Sequence, residues 1–108
     1  VARALRAVSS AYVERRGTAL AGGRVLDGAG KRAAFALYYG PLHFVATHEV
    51  LRQLGVPSPP AGAGRPVVDL GCGTGAVGAA AATWTGAPRV LGVDVHPWAL
   101  EEARATYA

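Results

Sequence analysis

Val67-Val68-Asp69-Leu70-Gly71-Cys72-Gly73-Thr74-Gly75 decides the fold of this chain. An apolar run of strand type ends in three glycines at alternate positions. Without a Cβ, those residues let the backbone turn sharply and approach a ligand closely. The small residues after Gly75 read as a helix starting near Thr74 to Ala76, whose unpaired N–H groups would face the same ligand. A second apolar run, Arg89-Val90-Leu91-Gly92-Val93-Asp94, reads as a strand parallel to the first, with Asp94 nineteen positions past Gly75. A carboxylate at that strand end accepts hydrogen bonds from both hydroxyls of a ribose, and its charge strengthens them.

In residue types and spacing, VVDLGCGTG followed by VLGVDVHPWALEEARATYA closely resembles the first two motifs of class I S-adenosylmethionine-dependent methyltransferases, over roughly residues 65 to 108. The resemblance implies a Rossmann-like α/β fold, S-adenosyl-L-methionine as cofactor and methyl transfer as the reaction. By position it implies that Gly71, Gly73 and Gly75 line the methionine and ribose part of the cofactor, with Cys72 the small residue between them. Asp69 would fix the loop and reach the cofactor's ammonium directly or through water. Asp94 would bind the ribose hydroxyls and Val95 would pack on the adenine face. His96 departs from the small polar residue often found there.

A nicotinamide or flavin site is the competing reading, since Gly73-Thr74-Gly75-Ala76-Val77-Gly78 satisfies G-x-G-x-x-G. It ranks behind, because Asp69 sits so near the turn that its charge would repel a pyrophosphate.

A parallel sheet of this kind needs more strands, with helices on both faces, than 108 residues supply here. Two strands are readable. The chain opens at Val1, has no Met, and ends at Ala108 within the second crossover helix, so the expectation is the N-terminal fragment of a longer enzyme, truncated after the second strand and its helix. Catalytic residues are therefore unassigned, and the fragment alone is expected to be inactive. The sequence divides into a helical N-terminal region, 1–60, and the incomplete cofactor-binding domain, 61–108.

Apolar residues make up 51% of the chain, yet no run reaches the eighteen or more needed to cross a bilayer, so no membrane partner is expected. The arginines and Glu14 in the first sixteen residues interrupt any secretory pattern, and a lone cysteine suits a reducing compartment. Cytoplasm is the default expectation. Residues 1–60 carry eight basic and three acidic side chains, whereas 61–108 carry three and four. A basic N-terminal part beside a cofactor domain steers polyanions, which makes RNA or a ribosome a candidate partner. Arginine-rich genome composition produces the same imbalance without any partner.

Ala4, Leu5, Val8, Ala11, Tyr12 and Arg15 lie on one 3.6-residue stripe and predict a helix from about Ala2 to Arg16, stopped by Gly17. Thr18 to Gly30 reads as loop or at most a short turn. Lys31 to Tyr39 has helical propensity, and Pro41 to Leu54 reads as a strong helix with Leu42, Val45, His48 or Glu49, and Leu54 near one side. Val56 to Arg65 is a Pro/Gly-rich connector.

Lys31 to Phe44 combines a basic pair, an aromatic run and a proline break. It loosely resembles the N-terminal region of the methyltransferase-like proteins of the small mitochondrial ribosomal subunit and their bacterial relatives. Tyr38, Tyr39, His43 and Phe44 would then stack on bases or cover the pocket; the plainer expectation is packing of a helical layer. Cys72 has no visible base for nucleophilic chemistry. His43 and His48 are five apart, the wrong spacing for two ligands on one helix face, and no metal site is expected. Trp98 is read as core or sheet cover, and Glu101 and Glu102 as solvated residues favouring the start of their helix. Besides the methyltransferase, two functions stay open: a non-catalytic, methyltransferase-like RNA-binding or ribosome-assembly factor, and an NAD-dependent oxidoreductase.

Overall fold

The computed structural model describes residues 2–13, 28–58 and 65–108. Two compact units divide the chain between Tyr39 and Gly40. The predicted helix end at Arg16, the stop at Gly17, most of the 18–30 loop and the middle of the connector lie outside the described residues.

In the first unit, helix α1 (Ala2–Val13) buries Val8 completely, while Arg3, Arg6, Ala7 and Ser9 are exposed. That is the face the stripe through Ala4, Leu5 and Val8 predicts. α1 packs on α2 (Ala29–Ala34). Gly28, at φ 95°, takes the cap position of α2 in a conformation that side chains disfavour. The helix therefore begins two residues earlier than expected. A π-helical turn follows over Phe35–Tyr39; Phe35 is buried, and Leu37 and Tyr38 are exposed.

The second unit opens with α3 (Gly40–Gln53), whose second residue is Pro41, so the missing N–H falls in the first turn. Its packed side differs from the expected one. Leu42, Val45, Val50 and Leu54 are exposed, whereas Phe44, Thr47, His48 and Leu51 are the half-buried positions. Both sets satisfy helical spacing, and the aromatic one prevails. Phe44 stacks on His48 at 4.9 Å, and His48 meets the Trp84 ring edge-on at 5.7 Å, which seats α3 on α4. Grouped by packing, α3 therefore goes with the sheet. Trp84 also anchors the connector: its Nε1–H donates to the Val56 carbonyl (3.0 Å), and the Ser58 hydroxyl donates to the Trp84 carbonyl (2.6 Å).

Strands β1 (Val67–Leu70) and β2 (Val90–Val93) are parallel, with Val67 opposite Val90 and Leu70 opposite Val93. Helices α4 (Ala76–Thr85) and α5 (Pro97–Tyr107) follow the two strands in the expected strand–helix alternation. Alternation along the strands turns Val67, Asp69, Val90 and Gly92 inward and leaves Val68, Leu70, Leu91 and Val93 exposed on the other face. Small residues, Ala76, Gly78, Ala80, Ala99 and Ala103, fill the helix–sheet interface and let the backbones approach closely. Among the described residues this is a Rossmann-like α/β arrangement of two parallel strands, each followed by a helix.

Candidate functional site

The glycine turn joins β1 to α4. Gly71, Gly73 and Gly75 have φ of 75°, 53° and 85°, all in the left-handed region that favours glycine. Their reasons for lacking a side chain differ. At Gly71 an added Cβ meets nothing within 4 Å, so the position borders open space and only the backbone demands glycine. At Gly75 a Cβ would lie 2.8 Å from the Tyr107 ring and 3.1 Å from the Ala103 backbone, so the fold itself fills the space. The turn is held to the second strand, because the N–H groups of Gly71 and Cys72 both donate to the Val93 carbonyl, at 2.7 and 3.0 Å.

Asp94 stands at the mouth of this turn. Its Oδ2 accepts the Gly73 N–H at 2.9 Å, and its Oδ1 accepts the His96 N–H at 2.8 Å. A carboxylate offers about four acceptor positions; two are used here, and two are left for hydroxyl donors. Val95, next along, is 90% exposed and presents an apolar surface beside that carboxylate. His96 caps α5 in an extended conformation, meets Trp98 edge-on, and has a buried Nδ1 with no partner among the described residues. Trp98 itself is half-buried.

Asp69 faces the helices. Its Oδ2 accepts the Gly78 N–H at 2.8 Å and the Tyr107 hydroxyl at 3.0 Å. Gly78 is one of the early N–H groups that an α-helix leaves unpaired, so Asp69 supplies α4 with the cap that Gly75 has no side chain to provide. The turn is thus tied from both sides, by Asp69 through α4 and by Asp94 through Gly73.

Cys72 is buried between the glycines. Burial raises its thiol above the ordinary value, and the negative charges of Asp94 and Asp69 raise it further. A neutral thiol is a poor nucleophile. Its Sγ also limits Gly92, where a Cβ would come within 3.0 Å. Among the described residues, no three His, Cys, Asp or Glu side chains gather as a metal site, and no helix is long and apolar enough to cross a membrane.

Tyr107 escapes a reading of the sequence. The resemblance assigns it no role, and it lies 38 residues from the carboxylate it binds. Gly75 and Gly92, which its ring covers, and Gly78, which its hydroxyl covers, are the trace it leaves in the sequence. Burial, and then its bond to Asp69, push its hydroxyl well above the ordinary tyrosine value.

Comparison with known proteins matches this part of the chain. Residues 67–108 fit the family model described as a methyltransferase domain. Over 42 residues the chain is 50% identical to the ribosomal protein L11 methyltransferase of Aeromonas hydrophila subsp. hydrophila, a stretch that is 39% of this chain and 14% of that protein. No solved structure matches. Segment 67–108 is therefore similar to methyltransferase-domain sequence, and it carries the strand, turn, helix, strand and helix described above.

Proposed function

We propose, on the premise that residues 67–108 are similar to methyltransferase-domain sequence, that this chain supplies half of an S-adenosylmethionine pocket to a methyltransferase. The observation that carries the proposal is the Asp94 carboxylate, bonded to Gly73 at the mouth of a turn of three positive-φ glycines and keeping two acceptor positions for a ribose. Open space at Gly71 and exposed Val95 suit the same ligand. Asp94 would hold the ribose hydroxyls, Val95 would border the adenine, and the side-chain-free turn would lie along the methionine portion. The cofactor, when bound, brings an electrophilic methyl group on a sulfonium. The chain's part is positioning: a rigid turn, fixed from two sides, holds the donor in one orientation for in-line attack.

The acceptor proposed is a ribosomal component or RNA. In support, Arg3 and Arg6 are exposed on α1 and Tyr38 is 51% exposed in the same unit. The curated relative is, by name, a methyltransferase of a ribosomal protein. The second reading, a cofactor-binding assembly factor without transfer, draws on the same basic unit.

Calorimetric titration of the full-length protein with S-adenosylhomocysteine and with NAD tests the cofactor. Saturable binding of the first alone is expected, and binding of NAD alone overturns the reading. Incubation with methyl-labelled S-adenosylmethionine and ribosomal subunits then separates an enzyme, which leaves label in protein or RNA, from a factor that binds and transfers nothing.

A further inference from the structure

The last turn of α5 touches the glycine turn at several points, through side chains to which the resemblance assigns no role. The Tyr107 hydroxyl donates to Asp69 Oδ2 at 3.0 Å, on the oxygen that also accepts the Gly78 N–H. The Tyr107 ring backs Gly75, where a Cβ would fall 2.8 Å from Cε1. The Thr106 hydroxyl donates to the Thr74 carbonyl at 2.7 Å, sharing its hydrogen with the Glu102 carbonyl at 3.0 Å. Thr74 and Gly75 are thereby gripped from behind by two consecutive side chains of another element.

We propose that Thr106 and Tyr107 are positioning residues for the cofactor: they hold the Thr74–Gly75 backbone and the Asp69 carboxylate in the geometry that the ligand meets from the other side. The proposal rests on the cofactor reading above. Both reach the turn from α5, at the Thr74 carbonyl and the Asp69 carboxylate rather than at Gly73 or Asp94. Their effect passes through the shape of the turn. Losing the Tyr107 hydroxyl leaves the ring packed and Asp69 held by the Gly78 N–H alone, and losing the Thr106 hydroxyl releases the Thr74 carbonyl; either lets the turn sample shapes that do not fit the ligand. Apparent affinity then falls by the fraction of time the fitting shape is lost.

The test is calorimetric titration of S-adenosylhomocysteine into the full-length protein and its Tyr107→Phe, Thr106→Val, Asp69→Ala and Asp69→Ala/Tyr107→Phe variants. Tyr107→Phe is expected to raise Kd about tenfold, as for loss of a hydrogen bond to a charged group, with binding stoichiometry unchanged. A smaller rise is expected for Thr106→Val. A purely structural role would instead lower the stoichiometry, as part of the sample unfolds, and leave the Kd of the folded remainder unchanged. The double variant is expected to bind as Asp69→Ala does, because position 69 then offers the tyrosine no acceptor. Wild-type affinity in both Tyr107→Phe and Thr106→Val overturns this proposal and spares the cofactor reading. A wild type that fails to bind overturns both.

Discussion

Gly71 and Gly75 share a positive φ but meet different surroundings, and substitution separates the two demands. Gly71→Ala carries only the left-handed backbone penalty and is expected to cost about 1–2 kcal/mol. Gly75→Ala adds a clash with the Tyr107 ring and the Ala103 backbone, and is expected to cost about 3 kcal/mol or more. Urea midpoints of the two variants check the order. Cys72 gives a second prediction at this scale. Its buried, raised thiol is expected to alkylate at least about tenfold more slowly at pH 8 in the native protein than in denaturant, since only the thiolate reacts. Equal rates would place the side chain in solvent. The glycines and Asp94 were legible in the sequence because a tight turn and a strand-end carboxylate are local requirements. Tyr107 was not, because its contact with Asp69 depends on how far α5 runs and where it lies on α4, which no local pattern encodes.

At the scale of elements, β1, the turn, α4, β2 and α5 follow from the sequence: alternating strand–turn–helix signals within 42 residues leave little freedom of order. α3 exposes the limit of pattern reading. Its sequence offers two apolar stripes, and the packed one is chosen by ring contacts with Trp84, 36 residues beyond His48. Trp84 joins α3, α4 and the Val56–Ser58 connector. Trp84→Ala is therefore expected to cost about 3 kcal/mol, the low end for a large aromatic because the side chain is half-buried. Leu42→Ala, on the exposed stripe, is expected to cost well under about 1 kcal/mol. Denaturant unfolding of the pair distinguishes this packing from the reverse, in which Leu42 would be the costly one.

For the whole molecule, pH supplies a test of how far the carboxylate, thiol and phenol near the turn act together. Cys72 and Tyr107 both have folded values above the ordinary 9.0 and 10.0. As pH rises past those ordinary values the unfolded chain releases these protons first, so it binds fewer protons than the native state and stability falls. The contribution is fully present below about pH 9 and is lost through the alkaline range. Tyr107→Phe is expected to flatten that loss in thermal melts between about pH 9 and 11, and an unchanged alkaline slope would contradict the burial of the phenol beside Asp69. Glu49 is held at about 2 by its hydrogen bond from Arg52, but both are exposed, and Glu49→Gln is expected to leave the melting temperature at pH 7 nearly unchanged. β1, β2 and the turn between them are proposed to form one pocket for a ribose-bearing sulfonium. The most direct measurement is the calorimetric affinity of S-adenosylhomocysteine for the full-length protein and for Asp94→Ala. Loss of about 1.5 to 3 kcal/mol is predicted, as for removal of a charged hydrogen-bond acceptor; affinity in the variant equal to that of the wild type would contradict it.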